Sequence, residues 1–186
     1  MHTKPKTNWP GNVTREAVDQ ARFRQFVLPH LDDAFGFARW LTGNATDAED
    51  VVQEASARAL RTISSFADGS ARAWYLAIMR DTAHSWLRKN HREEIIPDAS
   101  EEALNASVEA PPPSPPYRIT EIDGEVLAAA VAALPGPFRE PLVLRDLQGL
   151  KYPEIAEVLS VSVGTVMSRL VRARQRLILN VASQPV

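Results

Sequence analysis

The stretch LKYPEIAEVLSVSVGTVMSRLVRARQRL, residues 150–177, decides the fold of the C-terminal part of the chain. Ile155, Ala156 and Leu159 form one short apolar face at helical spacing, and a tight break at residues 160–162 follows. The next helix carries apolar residues at alternating spacings of three and four: Val163, Val166, Leu170, Ala173 and Leu177. A short helix, a short turn and a longer helix with a continuous apolar stripe predict a helix-turn-helix.

The polar side chains of the second helix lie outside this stripe. Small ones come first and arginines follow: Ser162, Thr165, Ser168, Arg169, Arg172 and Arg176. In a helix-turn-helix the start of the second helix enters the major groove of DNA, and arginines pair with guanine edges or with phosphates. The pattern therefore favours DNA binding, and a solvated cationic face on an ordinary helix stays the alternative.

Charge is unevenly distributed along the 186 residues, whose formal net charge is −2. Residues 1–92 carry 13 Lys and Arg against 10 Asp and Glu, and residues 124–186 carry seven against five. Residues 93–123 carry one Arg and eight acids. Two mildly basic segments thus flank an acidic one, and basic segments are candidates for nucleic-acid binding.

The acidic segment also holds six prolines, so it predicts a linker that does not fold on its own. We expect an all-α protein of two small helical domains joined by this flexible acidic, Pro-rich linker. The predicted boundaries are an N-terminal extension at 1–14, a first domain at 15–92, the linker at 93–123 and a second domain at 124–186.

The composition also limits the class of protein. No cysteine is present, which excludes disulfides and thiolate metal sites. The polar N-terminus lacks an apolar core, so it does not resemble a secretory signal, and the apolar runs are too short to span a bilayer. We expect a cytoplasmic protein with no membrane insertion, no metal and no cofactor.

Helix punctuation is clear in the first domain. A helix over residues 15–41 is predicted to break near Pro29 and to end at Gly43. Thr46 and Glu49 form the pattern of a capping box that would open the next helix. Further helices are predicted over residues 71–89, 125–134 and 138–147.

Three segments resemble parts of bacterial sigma factors, with the extracytoplasmic-function (ECF) class as the nearest group. Residues 134–177, LPGPFREPLVLRDLQGLKYPEIAEVLSVSVGTVMSRLVRARQRL, resemble the region-four domain. Residues 47–60, DAEDVVQEASARAL, resemble the region-two helix that docks on the RNA polymerase beta-prime clamp. Residues 70–92, SARAWYLAIMRDTAHSWLRKNHR, resemble the adjoining helix that reads the promoter −10 element.

The resemblance implies three contact surfaces. The clamp surface would comprise Asp47, Asp50, Gln53, Glu54 and Arg58. The −10 surface would comprise Phe66, Asp68, Gly69, Ser70, Arg80, Asp81, Arg88 and Lys89, with the Phe66 ring stacking on an unpaired base. The −35 surface would comprise Thr165, Met167, Ser168, Arg169, Val171, Arg172 and Arg176. Arg172 is the strongest candidate for recognition, and Arg169, Arg174 and Arg176 are expected to be phosphate contacts or exposed charges.

The implied function is promoter-specific transcription initiation. The protein would bind core RNA polymerase at the beta-prime clamp and the beta flap, bind promoter DNA, and be held inactive by an anti-sigma factor. It would not itself be an enzyme. Two alternatives stay open at this point: a polymerase-independent helix-turn-helix regulator, and a sigma-like decoy for an anti-sigma factor.

Asp81 departs from the family pattern, which has Asn at this position. An ionised Asp only accepts hydrogen bonds, whereas Asn also donates them. Asp81 is therefore predicted to prefer a base with an amino group, such as cytosine, unless it pairs locally with Arg80 or Lys89. Asp81→Asn should shift the base preference when a library of −10 variants is transcribed, and an unchanged preference would contradict base readout by Asp81.

Overall fold

The computed structural model describes residues 14–90 and 124–182. Within these ranges the regular secondary structure is helical, which confirms the all-α prediction. The helices are α1 (Arg15–Phe26), α2 (Leu31–Thr42), α3 (Ala45–Thr62), α4 (Ala71–Asn90), α5 (Gly124–Ala132), α6 (Gly136–Leu142), α7 (Tyr152–Leu159) and α8 (Val163–Ala182). The predicted linker and most of the N-terminal extension lie outside the described residues, and the predicted domain boundaries stay a prediction.

In the N-terminal module, α2, α3 and α4 pack around one apolar core. The core includes the fully buried side chains of Phe37, Val51, Tyr75 and Met79. The predicted break near Pro29 is a 3-10 turn between α1 and α2. Helix α2 ends at Gly43, whose φ of 82° is the left-handed conformation that glycine adopts without strain.

Helix α3 begins two residues earlier than the capping-box pattern predicted. Asn44, not Thr46, is the N-cap, because its Oδ1 accepts the backbone N–H of Asp47 at 2.8 Å. The amide of Asn44 also donates to the Asp47 carboxylate at 2.6 Å. Thr46 already lies inside the helix, so the prediction that Thr46 and Glu49 cap it was wrong.

In the C-terminal module, α5, α6 and α7 pack against α8 around Phe138, Leu144, Leu150 and Ile155. The helix predicted over residues 138–147 is α6 followed by a π-helical turn at Val143–Leu147. Of the predicted α8 stripe, Val166, Leu170 and Ala173 are buried and Leu177 packs partly against the core. Val163 is 39% exposed, because it is the first residue of α8 and lies beyond the edge of this packing.

The Asn44 cap can be tested by its effect on stability. Replacing Asn44 with Ala should lower the free energy of unfolding by about 1 kcal/mol, because the Asp47 N–H loses its acceptor. Thr46→Ala is the matched control and should change it by less than about 0.5 kcal/mol. Urea denaturation of both variants makes the comparison, and a larger loss for Thr46→Ala would restore the capping box.

Candidate nucleic-acid interface

The turn between α7 and α8 determines where α7 ends and α8 begins. Ser160 ends α7 in the left-handed conformation, with φ 54° and ψ 43°. Two residues later, Ser162 Oγ accepts the backbone N–H of Thr165 at 3.0 Å, and the two hydroxyls lie 2.9 Å apart. A Ser in this position satisfies an otherwise unpaired helix N–H, so the sequence sets the start of α8 locally.

Helix α8 has two different sides next to its buried stripe. Thr165, Arg169, Arg172 and Arg176 are spaced four, three and four residues apart, so they share one polar, cationic side. Met167 and Val171 lie on the other side with exposed fractions of 51% and 55%, and Ile178 continues it at 50%. Ser168 is exposed between the two sides. Helix α8 therefore has one cationic side and one apolar side next to its buried stripe.

The arginines of α8 make different contacts with the rest of the protein. Arg174 makes two hydrogen bonds to the Asp146 carboxylate, at 2.8 and 3.3 Å, and these bonds raise the pKa of its guanidinium. Arg174 is an exposed charge, one of the two states predicted for it, and it is paired with Asp146. The Arg176 guanidinium lies 4.6 Å from the centroid of the Phe138 ring, a cation–π contact. Arg172 is partly exposed and makes no ion pair or ring contact with the residues that the structure describes.

The five predicted clamp residues lie on the outer side of α3. Asp50 and Gln53 are exposed, opposite the buried residues of the helix. Glu54 is paired with Arg58 one turn later, and Asp47 contacts the Asn44 cap. The structure brings this set together as one polar and mainly acidic surface.

Phe66 does not lie where its predicted role requires. Its side chain is only 7% exposed, and its ring packs 5.3 Å from that of Phe26 and 5.2 Å from that of Trp74. An aromatic ring that stacks on a base must present a face to it. Phe66 instead joins α1 to α4 in the core, so the prediction of a base-stacking ring is wrong for this structure.

The remaining −10 residues fall into two groups. Exposed side chains belong to Asp68, Asp81, Arg88 and Lys89, with Gly69 in the same loop as Asp68. The other two, Ser70 and Arg80, contact the C-terminal module. Because Arg80 pairs with Glu140, the local pair between Arg80 and Asp81 considered from the sequence does not form.

Glu140 of α6 is at the centre of this contact between the modules. Its carboxylate is 5% exposed; one oxygen accepts from Arg80 Nε at 2.5 Å and the other lies 2.9 Å from His84 Nε2. Burial alone raises the pKa of Glu140, but the His84 hydrogen bond and the Arg80 charge outweigh it, and the pKa lies below its usual value. The carboxylate is therefore kept ionised in a nearly dry site.

A second group of polar contacts joins the modules at Arg72, eight residues before Arg80 in α4. Arg72 of α4 donates to the Asp33 carboxylate at 2.7 Å and to the backbone carbonyl of Gln148 at 2.8 Å. The Gln148 amide donates to the Asp33 carbonyl at 2.7 Å. Gly36 permits this approach, since a Cβ there would lie 3.3 Å from Gln148 Nε2.

Sequence reasoning did not identify Glu140, His84 or Gln148. One signal was present for Glu140, which is a lone acid between Phe138 and the apolar run Leu142–Leu144. A charged residue in a segment that must be buried needs a partner. The partners lie 56 and 60 residues earlier in the chain, and no local pattern identifies them.

Residues 14–90 and 124–182 contain no group of three His, Cys, Asp or Glu side chains that could hold a metal ion. Within the same ranges, none of the helices is both long and apolar enough to cross a membrane.

Both modules match known families. The family described as Sigma-70 region 2 matches residues 26–93, and the family described as Sigma-70, region 4 matches residues 124–177. The chain is 36% identical over 155 residues to the ECF RNA polymerase sigma factor EcfG of Rhodopseudomonas palustris, with 83% of this chain and 82% of that protein covered. It is 35% identical over 168 residues to the ECF RNA polymerase sigma factor SigE of Mycolicibacterium smegmatis, covering 89% of this chain and 64% of that protein.

A solved structure agrees with these matches. The chain is similar to the sigma factor RpoE from Bartonella quintana, which was crystallised in complex with the anti-sigma factor NepR. The TM-score is 0.65 at 28% identity, and the alignment covers 88% of this chain and 98% of that one. Coverage of this extent includes both helical modules.

The burial of Phe66 in the core can be tested by its effect on stability. Phe66→Ala should lower the free energy of unfolding by about 3–5 kcal/mol, because it leaves a cavity between Phe26 and Trp74. The exposed neighbour Asp68, changed to Ala, should alter stability by less than about 0.5 kcal/mol. Thermal or urea unfolding measures both. If Phe66→Ala has wild-type stability and loses only affinity for DNA, the core role is contradicted and the ring stacks on a base instead.

Proposed function

The chain belongs to the extracytoplasmic-function sigma factors of bacterial RNA polymerase, and on that premise we propose which of its surfaces perform each task. A sigma factor is a transcription initiation factor that binds core polymerase and directs it to promoters through the −10 and −35 elements. The phosphoryl-transfer chemistry belongs to the polymerase. We assign no catalytic step to this chain, and it acts where the polymerase is, in the cytoplasm.

The −35 element is read by α8. The observation that carries this assignment is the cationic side of α8, on which Arg172 is partly exposed and without an ion pair to any described residue. Thr165, Ser168 and Arg169 extend the polar contact, while Arg176 is restrained by its ring contact with Phe138. Met167 and Val171 cannot donate hydrogen bonds, but they can contact thymine methyl groups.

Core polymerase binds the outer side of α3 at the beta-prime clamp. Asp50 and Gln53 are available there directly, while Glu54 and Arg58 present a paired charge. Asp47 lies at the start of the same side, next to the helix cap. The C-terminal module docks on the beta flap, as the family resemblance implies.

The −10 element is contacted by the side of α4 that carries Asp81, Arg88 and Lys89, together with the loop containing Asp68 and Gly69. Asp81 and Arg88 are seven residues apart, so they lie on the same side of α4, and both are exposed. Arg88 and Lys89 supply positive charge for the phosphate backbone. Phe66 contributes by holding the loop through its core contacts rather than by stacking.

An anti-sigma factor is the proposed regulatory partner. RpoE, the structural relative described above, was solved with the anti-sigma factor NepR, and that alignment covers nearly all of RpoE. The two alternative functions are not favoured, because the relatives that match across both modules are themselves RNA polymerase sigma factors.

Run-off transcription with purified core polymerase tests the proposed function. Addition of the protein should produce transcripts with defined start sites from a genomic template library, each preceded by shared −10 and −35 sequences. Core polymerase alone is the control. The same scattered starts with and without the protein would contradict the proposal.

Arg172 and Arg174 form a matched pair on α8 for testing −35 recognition. Arg172→Ala should weaken binding of the holoenzyme to its promoter by about 1–3 kcal/mol, because Arg172 is available to DNA. Arg174→Ala should change it by less than about 0.5 kcal/mol, because Arg174 is held by Asp146. Loss confined to certain −35 sequences indicates base contact, and uniform loss indicates phosphate contact. Equal losses for the two variants would contradict the assignment.

A further inference from the structure

Gly164, the second residue of α8, is a glycine that the fold itself does not require. Its φ is not positive, unlike the φ angles of Gly43, Gly69 and Gly149. Apart from its own helix backbone and its chain neighbours, a Cβ on Gly164 would meet only Ser162 Oγ, at an ordinary contact distance of 3.7 Å. Neither backbone conformation nor crowding within the described residues therefore explains a glycine at this position.

Gly36 is a contrasting case, in which packing does require a glycine. A Cβ there would lie 3.3 Å from Gln148 Nε2, so this neighbour would have to move. A glycine in an ordinary helical conformation also costs stability relative to alanine, because its unfolded chain has more conformational freedom to lose. Gly164 carries this cost without a compensating contact inside the protein, which points to a molecule that approaches from outside.

Gly164 lies on the side of α8 that faces away from the protein. Gly164, Ser168 and Gln175 are spaced four and seven residues apart, so they lie on one line between the cationic and the apolar side. At about 100° per residue, this line is opposite the buried stripe of α8. Gly164 is exposed, so the outermost line of the helix begins with a residue that has no side chain.

We propose that Gly164 is a positioning residue for −35 recognition: without a side chain, it lets the backbone of α8 lie directly against DNA and so sets how deeply the helix enters the major groove. The proposal rests on the proposed function, because it takes α8 as the helix that reads the −35 element. The start of the second helix is the part of a helix-turn-helix that enters the groove. The depth at Gly164 therefore determines whether Ser168 and Arg172, one and two turns later, reach the base edges.

The polar neighbours of Gly164 are bonded to α8 itself. Ser162 Oγ accepts the backbone N–H of Thr165 at 3.0 Å, and Ser168 Oγ donates to the Thr165 carbonyl oxygen at 3.0 Å. Such local bonds hold short hydroxyl side chains close to the helix backbone. DNA that approaches Gly164 thus meets the helix backbone with short side chains beside it, and the contact depends on shape.

A single methyl group is enough to disturb this contact. Hydrogen bonds in proteins join heavy atoms about 2.7–3.2 Å apart and weaken beyond that distance. A methyl group on Gly164 would displace α8 outward from the groove, and the short side chain of Ser168 could not follow the bases. The longer Arg172 side chain could compensate only in part, so affinity should fall although no polar group of α8 is removed.

Gly164→Ala tests the inference, because it adds one methyl group and no charge. Holoenzyme with the full-length variant should bind a promoter identified by run-off transcription roughly tenfold more weakly than wild-type holoenzyme, as expected for the loss of one well-aligned base contact. The difference should disappear on a duplex whose −35 element is scrambled. The free variant should unfold at a higher urea concentration, because alanine restricts the unfolded chain. A purely structural role for Gly164 predicts a lower one.

Two further variants provide controls. Gly124→Ala changes an exposed glycine at the start of α5, where a Cβ also has open space, and should leave promoter binding unchanged. Gly164→Leu keeps a high helix propensity and adds a larger side chain, so it should weaken binding more than Gly164→Ala does.

Wild-type promoter affinity of Gly164→Ala would overturn the proposal, as would a lower urea midpoint, an equal loss for Gly124→Ala, or a loss that persists on the scrambled −35 duplex. Failure of the proposed function is distinct, because the wild-type holoenzyme itself would then show no −35-dependent binding.

Discussion

The ion pair between Glu140 and Arg80, with His84 on the second carboxylate oxygen, is the interaction on which the arrangement of the two modules depends. The buried side chains of both modules belong to one apolar cluster. Polar contacts join the modules beside this cluster, between Arg80 and His84 of α4 and Glu140 of α6, and between Arg72 of α4 and the backbone carbonyl of Gln148. The same helix carries Asp81, Arg88 and Lys89, which are proposed to contact the −10 element.

The side chains of α8 explain how one helix can pack in the core and also carry the surface that is proposed to contact DNA. Its buried stripe of Val166, Leu170 and Ala173 fixes its rotation, and the serine cap fixes its start. Rotation and start together place the cationic side and the apolar side at the surface. Asp146 then holds Arg174, so the four arginines that appear equivalent in the sequence have different roles.

Local patterns in the amino-acid sequence predicted much of this architecture. The end of α2 at Gly43, the break at Pro29 and the helix-turn-helix stripe depend on backbone preference and helical periodicity, which short stretches of sequence encode. The start of α3 was missed because Asn44 and Thr46 are both acceptable caps, and only the observed hydrogen bond distinguishes them. This is a difference of two residues at a helix start, and it does not change the fold.

The misplaced site residues share a different cause. Phe66 was assigned to the surface because its role was inferred from family position, whereas its burial depends on Phe26, which lies 40 residues earlier. Arg80 was predicted to contact DNA, and it is paired with an acid 60 residues away in the chain. Arg174 was predicted to be a phosphate contact or an exposed charge; it is exposed, and it is paired with an acid 28 residues away that the sequence did not indicate. Contacts at such separations depend on how helices pack, and a single sequence contains no local signal for them.

The most direct measurement is the distance between the two modules before and after promoter binding. The chain has no cysteine, so Ser64→Cys and Glu157→Cys place one fluorophore on an exposed position of each module without further changes. We predict a short distance by single-molecule energy transfer in the free protein. In the complex with core polymerase and promoter, the distance should increase, because the two modules are proposed to contact separate promoter elements. The same distance in both states would contradict the account.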